Sequence, residues 1–193
     1  MIDTLLEILP LWGAWLVGLT TFLSCLMLPV PSSLLMLAAG AFTATGDLSM
    51  IEVGTAALIG AVMGDVLGFT LAERIATQIG VGPKSGPLLA KATDFLNRRG
   101  FMAIFLTRWL FSPLGPWTNL AAGLTRFKLA RFVPASIAGE AVWVAIYLGL
   151  GRIFGANYAA AADLAGSALG LLAGIGAALF LGRYLWQRRH QTD

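Results

Sequence analysis

Three charged side chains interrupt stretches that are otherwise apolar for the length of a membrane span. They are Asp65 in 53–72, Arg108 in 100–125 and Glu140 in 132–151. A charge at the bilayer centre costs about 2.5–3.5 kcal/mol on insertion scales, so such residues face a protein interior or a wet cavity. The pattern predicts binding or transport of a charged group, and a buried ion pair that only joins helices is the alternative.

Arg108 and two proline-containing turns supply donors for an anion, since a guanidinium is a planar fork that fits phosphate or carboxylate. Pro31 and Pro116 are predicted to start two short helices, because the missing N–H of proline has no partner in a first turn. The free N–H groups and positive dipole ends of such helices favour a phosphate-bearing head group. With Arg108, the predicted substrate-binding residues are Ser32, Ser33, Thr118 and Asn119. Helix capping alone also explains these four polar side chains.

Asp65 and Glu140 are the predicted proton-coupling residues. Two acids against one arginine leave a surplus negative charge if all three are ionised. We therefore expect one of the two acids to carry a proton that is coupled to transport. Glu140 shares a helical face with Ser136, Trp143 and Tyr147, at spacings of four, three and seven residues.

The chain that must position these groups has the composition of an integral membrane protein. Of its 193 residues, 58% are hydrophobic and 12% are charged, which is more apolar surface than one water-soluble core buries. Residues 8–46 carry no charge, and residues 164–182 form another apolar run of spanning length. With one cysteine and one histidine in the sequence, we expect no disulfide, no metal site and no cofactor.

Basic residues assign the sides of the membrane. They concentrate in 74–99, 126–131 and the tail beyond 182, so the positive-inside rule predicts that these segments are cytoplasmic. The linkers around Asp47 and near Asp163 are predicted to lie outside. The C-terminus is then cytoplasmic, and no nucleic-acid partner is expected.

This assignment predicts that 100–125 leaves the cytoplasmic side and returns to it. Residues 100–111 would form an arm of about 18 Å, roughly half of a 30 Å hydrocarbon core. Pro113, Gly115 and Pro116 cannot continue the helix, so they are predicted to turn the chain at mid-membrane. Irregular backbone is tolerated at that depth only in protein or water, so this re-entrant hairpin should line a cavity.

The same order of motifs occurs earlier in the chain. The segment from Pro29 through Pro31 to Gly40 parallels the segment from Pro113 to Gly123, and both close on Ala-Ala-Gly. A glycine-acid pair follows each, at Asp65 and at Glu140. By charge the first hairpin opens outside and the second inside, as in transporters built from inverted repeats.

The predicted fold is therefore an all-α polytopic membrane protein, an inverted repeat with two re-entrant hairpins plus three to four transmembrane helices. Its parts, within a single membrane domain over 1–193, are repeat 1 at about 9–73, a cytoplasmic linker at 74–99, repeat 2 at about 100–155, a C-terminal helix at 160–183 and a basic tail at 184–193. Residues 9–28 fit a full span by length and a hairpin arm by symmetry. Glycines at 166, 170 and 174 fit packing within the monomer or a homodimer.

At these residues the chain resembles the DedA family, also called the SNARE-associated Golgi or VTT-domain family. The resemblance covers about 16–155. It rests on the proline motif before Gly40, on Gly60-Ala-Val-Met-Gly-Asp65, on Arg108 with its downstream prolines, and on Gly139-Glu-Ala-Val-Trp143 leading to Gly155. It implies a multi-pass protein of the bacterial inner membrane with two facing re-entrant hairpins. Members are associated with moving lipids across bilayers, in some cases with proton coupling.

The chain departs from the family pattern at three places. Ser24 and Ser33 stand where many members have acids, and Asp65 and Glu140 are the candidate replacements. Arg108 is present, but the second arginine of the family motif is replaced within Pro113–Pro116. The nature of the lipid and the proton coupling are thus less defined than the resemblance alone implies.

The predicted function is lipid transport by a flippase or scramblase-like carrier. Its substrate would be a phosphate-headed membrane lipid, such as undecaprenyl phosphate or a phospholipid. The alternative is a proton-coupled small-ion or drug transporter that uses the same cavity. An intramembrane enzyme is disfavoured, because no nucleophile and base pair stands out and no catalytic residue is predicted. A scaffold role is a further alternative.

Overall fold

The computed structural model describes residues 2–83 and 85–155, and the predicted C-terminal helix, its glycines and the basic tail lie outside these residues. Within them the chain is entirely helical, which confirms the all-α class. The helices are α1 (Ile2–Cys25), α2 (Ser32–Thr45), α3 (Met50–Gln78), α4 (Pro87–Trp109), α5 (Gly115–Leu124) and α6 (Leu129–Gly155). A short 3-10 helix, Ser112–Leu114, connects α4 to α5.

Two of these helices, α3 and α6, are long and apolar enough to cross a membrane. Trp12–Cys25 of α1 and the whole of α2 form shorter apolar helices. Large apolar side chains cover the outer surface of the long helices, with Ile51, Ile59, Met63 and Ile153 all more than half exposed. In water such a surface would be unfavourable, whereas lipid accepts it.

The ends of α3 and α4 follow local rules, with one exception. Ser49 caps α3 by accepting a hydrogen bond from the Glu52 N–H at 3.4 Å. Pro87 occupies the first turn of α4, where a missing N–H costs nothing. Arg99 interrupts α4 with a non-helical backbone (φ −130°, ψ 15°). The predicted arm at 100–111 is therefore the second part of α4 and ends at Trp109, and the predicted linker is largely helical.

Helix packing in the described part follows a repeated scheme. Helix α1 packs against α3, and α4 packs against α6. The two short helices cross over, since α2 packs against α6 and α5 packs against α3, while α3 and α6 also contact each other. Among the described helices, each of the other four therefore contacts α3 or α6.

Glycines permit these crossings. A Cβ on Gly64 would lie 2.5 Å from the Phe22 carbonyl oxygen, and one on Gly139 would lie 2.7 Å from the carbonyl oxygen of Phe105. Gly40 and Gly123 meet the backbones of α6 and α3 in the same way. Close backbone approach at small residues is the usual way for membrane helices to associate.

Two groups of buried apolar side chains flank the long helices. The Met36 cluster consists of Val17, Met36, Ala39, Leu48, Val53, Ala57, Trp143, Val144 and Leu148. The Phe69 cluster consists of Phe69, Leu96, Ile104, Ala122, Phe127, Phe132 and Ala135. Each cluster draws side chains from both halves of the chain, so the halves depend on each other for their packing.

Candidate functional site

Arg108 lies in the last turn of α4 and is buried, with a side chain 1% exposed. Its Nη1 atom is 3.2 Å from Asp65 Oδ1 on α3, and its Nε atom is 3.7 Å from Glu140 Oε1 on α6. Both acids are buried as well. The three isolated charges of the sequence therefore meet in one place, where three helices converge.

Asn119 connects this ion pair to α5. Arg108 Nη2 donates to Asn119 Oδ1 at 2.6 Å, and Asn119 Nδ2 donates to Asp65 Oδ1 at 2.9 Å. Asn119 Nδ2 also lies 3.4 Å from the carbonyl oxygen of Cys25, at the end of α1. The side-chain amide thus acts as donor and acceptor at once, and it joins α1, α3, α4 and α5.

Helix α6 contributes two more contacts. Ser136 donates a hydrogen bond to Asp65 Oδ2, so both oxygens of this carboxylate are hydrogen-bonded. The guanidinium carbon of Arg108 lies 5.6 Å from the ring centroid of Phe132, which is within the range of a cation–π interaction. We call Asp65, Arg108, Asn119, Ser136 and Glu140 the charge cluster.

The cluster depends on glycines beside it. A Cβ on Gly139 would lie 2.6 Å from Arg108 Cγ, so this residue leaves room for the arginine stem to pass α6. A Cβ on Gly115 would lie 3.1 Å from Arg108 Nη1, and one on Gly68 would lie 3.5 Å from Asn119 Cβ. The sequence therefore specifies both the polar groups and the space that they occupy.

The charges of the cluster do not balance when all are ionised, because one arginine faces two carboxylates. Asp65 has Arg108, Asn119 and Ser136 as partners, whereas Glu140 has a longer contact with Arg108, at 3.7 Å. Glu140 is therefore the less well compensated acid. Desolvation disfavours such a charge, and a bound proton or an added cation would remove it.

One further side chain lies close to the two acids. The Sγ of Cys25 and carboxylate oxygens of Asp65 and Glu140 all lie within 4.8 Å of one another. Thiolate and carboxylate are ligands that a zinc-type cation accepts. With one cysteine and one histidine in the sequence, we expected no metal site. Arg108 already supplies a positive charge at this position, so we assign no metal here.

The other predicted binding residues lie outside the cluster. The Ser32 hydroxyl donates to Ser24 Oγ at 3.0 Å, and the Thr118 hydroxyl donates to the Leu114 carbonyl oxygen at 2.9 Å. Ser33 is half-buried in the first turn of α2. Their role in substrate binding stays a prediction.

The predicted turn residues lie at the starts of the short helices. Pro31 directly precedes α2, and Pro116 is in the first turn of α5, which begins at Gly115. Pro29 lies in the irregular segment between α1 and α2, and Pro113 lies in the 3-10 helix. Proline thus precedes or opens each short helix, as predicted.

Two contacts of the cluster were missed from sequence, and a third was only partly recognised. Ser136 was placed on the helical face of Glu140, four residues before it, but was not predicted as a site residue. Phe132 lies one further turn back on the same face. Cys25 had only the repeated Ala-Ala-Gly to mark it, because it lies 15 residues before Gly40 and Arg108 lies 15 residues before Gly123.

The fold and the site together define a helical membrane protein with a transporter-like core, in which buried charges lie between two long apolar helices. The VTT domain matches residues 30–153 of the chain. The chain therefore belongs to the VTT-domain family, the DedA family of membrane proteins.

Several curated proteins are similar to the chain. "Inner membrane protein YabI" of Escherichia coli K12 is 28% identical over 73% of this chain and 56% of its own length. "Uncharacterized membrane protein slr0232" of Synechocystis is 28% identical over 80% of this chain and 72% of that protein. "Alkaline phosphatase-like protein" of Lactococcus lactis subsp. cremoris is 24% identical over 82% and 78%. The match thus spans little more than half of the first relative. No solved structure matches the chain significantly.

Proposed function

We propose that this chain is a flippase or scramblase-like transporter of the bacterial inner membrane, and that it moves a phosphate-headed lipid such as undecaprenyl phosphate or a phospholipid. The observation that carries the proposal is the buried guanidinium of Arg108, held by carboxylates from two long apolar helices. Burial of an arginine in a membrane costs free energy, so arginines at such positions usually have a function. A fork that binds carboxylates also fits a phosphate.

The packing scheme supports a reading of the fold as an inverted repeat with two re-entrant hairpins. The pairs α1–α3 and α4–α6 correspond, and so do the crossed pairs α2–α6 and α5–α3. The motif glycines correspond too, because Gly64 meets α1 as Gly139 meets α4. In this proposal the short helices α2 and α5 return from mid-membrane, and their N-terminal ends face the charge cluster.

Exchange of partners at Arg108 is the proposed transport step. A phosphate that reaches the guanidinium replaces one carboxylate, and the released acid, Asp65 or Glu140, takes up a proton. Glu140 is the first candidate, because its ion-pair distance to Arg108, 3.7 Å, is longer than the 3.2 Å of Asp65. When the acid then loses this proton, its carboxylate pairs with Arg108 again and displaces the phosphate. This cycle couples lipid movement to protons.

The proposed orientation follows the basic residues of the sequence. In this proposal the basic segments 74–99 and 126–131 of the sequence face the cytoplasm, together with the C-terminus. We propose no catalytic step, because the serine and the asparagine of the cluster are already bonded to the arginine–carboxylate pair. Whether the protein is a homodimer is tested in the liposome experiment described next, by counting the chains in each vesicle.

Reconstitution into liposomes tests the proposal. Vesicles with the purified protein receive labelled undecaprenyl phosphate or a labelled phospholipid in one leaflet, and the rate of appearance in the other leaflet is measured. We expect Arg108→Ala to abolish the movement. The matched control is Arg98→Ala, because Arg98 is an exposed arginine of the same helix whose ion pair with Asp94 lies on the surface. The control should transport at the wild-type rate.

Two outcomes would overturn the proposal. One is movement of no tested lipid by the wild type, and the other is full movement by Arg108→Ala. Uptake of a small ion or drug by the same vesicles, without lipid movement, would favour the alternative transporter. Loss of pH-gradient dependence in Glu140→Gln, with lipid movement retained, would support the proton-coupled cycle.

Cys25 offers an independent binding assay, because it is the single cysteine of the sequence and its thiol lies beside both acids. A bound head group at Arg108 would cover this thiol. We expect saturating lipid phosphate to slow alkylation of Cys25 by a maleimide at least several-fold. Arg108→Ala should show the same alkylation rate with and without lipid, and protection in that variant would contradict the proposed position.

A further inference from the structure

Two tryptophans beside the charge cluster bury indole N–H groups without an acceptor. Trp109 Nε1 and Trp143 Nε1 have no hydrogen-bond partner among the described residues. Trp143 is 5% exposed. Buried donors are nearly always paired in native proteins, with protein, water or ligand. These groups therefore require acceptors that the described part of the chain does not supply.

Both tryptophans are positioned by the cluster's own helices. Trp109 follows Arg108 directly on α4, and Trp143 is three residues after Glu140 on α6. Three residues correspond to about 4.5 Å along a helix, on nearly the same face. Trp143 belongs to the Met36 cluster and Trp109 packs against that cluster. Both rings therefore pack at the Met36 cluster, on the two helices that carry Arg108 and Glu140, and Trp109 is partly buried.

The remaining tryptophans of the described residues behave differently. Trp12, Trp15 and Trp117 are exposed by 63%, 73% and 61%, so their rings face lipid or the membrane interface. Burial of an indole N–H without a partner is therefore specific to the two residues beside the cluster. This difference also supplies a control position.

We propose that Trp109 and Trp143 form a second subsite, which binds neutral oxygen acceptors of the head group beyond the phosphate held by Arg108. The inference rests on the proposed lipid transport and deepens it. An indole N–H only donates, so it binds hydroxyl, ether or ester oxygens and offers nothing to an ammonium group. The substrate class is therefore an anionic phosphodiester lipid whose head group carries hydroxyl oxygens, of the glycerol or sugar type.

A pair of matched lipids tests the subsite. Phosphatidylglycerol and phosphatidylethanol with the same acyl chains carry the same charge and differ in the hydroxyl oxygens of the head group. The full-length protein is placed in nanodiscs with equal amounts of both, released, and analysed by native mass spectrometry for bound lipid. We expect the wild type to favour phosphatidylglycerol about tenfold, the change expected of roughly two net hydrogen bonds.

The variants separate the subsite from the phosphate site. Trp109→Phe and Trp143→Phe should each lower the preference about threefold, and the double variant should bind both lipids equally. Trp117→Phe should keep the wild-type ratio. Because the ratio is measured within one sample, partial loss of folded protein does not change it. Arg108→Ala should bind neither lipid.

The outcomes distinguish the two proposals. If the wild type binds neither lipid, the proposed function fails. If the wild type binds both and Arg108→Ala binds neither, but the double tryptophan variant keeps the preference, the subsite alone is wrong. Equal loss of both lipids in the tryptophan variants would also overturn the subsite, because it would show that the rings only support the fold.

Discussion

In the described part of the chain, helices α1–α3 and helices α4–α6 pack alike but differ in chemistry. In each set the glycine before the acid touches the first helix of that set, Gly64 at the Phe22 carbonyl and Gly139 at the Phe105 carbonyl. The polar groups are unevenly divided. The last three helices supply four of the five side chains of the charge cluster, and the first three supply Asp65 and a backbone carbonyl.

Corresponding positions in the two sets of helices carry different residue types. Counted from the shared motifs, Cys25 corresponds to Arg108, Met36 to Asn119 and Ala61 to Ser136. A site at the junction of two halves requires only one arginine, because the same guanidinium contacts acids from both. The close helix contacts at glycine therefore occur in both sets of helices, whereas one arginine is sufficient for the whole charge cluster.

The short helices also differ in register. Gly40 meets α6 at 148–152, whereas Gly123 meets α3 at 69–73. Counted from the acid of each long helix, α5 crosses about one turn nearer, a difference of about 6 Å. This explains why Asn119 reaches its acid while the corresponding Met36 is buried in an apolar cluster.

Substitution of Arg108 should change the free energy of unfolding the most. Arg108→Ala leaves two buried carboxylates without their cation, so we expect the free energy of unfolding to fall by about 3–5 kcal/mol. Cys25→Ala, at the corresponding position, should change it by less than about 2 kcal/mol. Denaturant unfolding in mixed micelles measures both.

Neutral acids provide the control for this prediction. Arg108→Met combined with Asp65→Asn and Glu140→Gln should recover most of the loss, because no buried charge remains. A triple variant as unstable as Arg108→Ala would show that the arginine stem, and not its charge, supports the fold.

Loss of the Asn119 side-chain amide should have the second largest effect on stability. Asn119→Ala removes the acceptor of Arg108 Nη2 and a donor to Asp65, and two charge-assisted bonds correspond to about 3 kcal/mol. Met36→Leu, at the matching position, conserves volume in an apolar cluster and should cost less than about 1.5 kcal/mol. Equal losses in both variants would mean that the two short helices are equivalent after all.

The crossing glycines should affect both halves equally. Gly40→Ala and Gly123→Ala each place a methyl group against backbone of a long helix, and we expect each to cost about 2 kcal/mol. Gly149→Ala is the control, because nothing lies within 4 Å of that added Cβ and alanine favours a helix by up to about 1 kcal/mol. Unequal losses of stability at Gly40 and Gly123 would argue against the proposed inverted repeat.

Much of this arrangement was accessible from sequence. Lone charges in apolar spans have to meet a partner, and Asp65, Arg108 and Glu140 do. Proline placed the starts of α2 and α5 to within one or two residues. These features were predictable because each follows from a large local cost, either a charge in lipid or a missing N–H.

The rest depended on tertiary geometry. The Thr118 hydroxyl bonds the carbonyl four residues earlier, a contact that a helix always offers, and its role in substrate binding stays a prediction. The break at Arg99 had one local signal, Gly100 directly after it, but a single glycine inside a helical pattern does not by itself specify a break. The one-turn register difference that selects Asn119 over Met36 is a property of helix crossings, which spacing along one chain does not specify.

The smallest expected effect concerns Ser136 and its counterpart Ala61. Ser136→Ala removes one hydrogen bond to Asp65 but leaves Arg108 and Asn119 as its partners, so a loss of about 1.5 kcal/mol is expected. Ala61→Ser would add a hydroxyl one turn before Asp65 on the first half, where a helical serine bonds its own backbone. We expect no rescue in the double variant, and recovery of stability by Ala61→Ser would show that the halves are interchangeable around the acids.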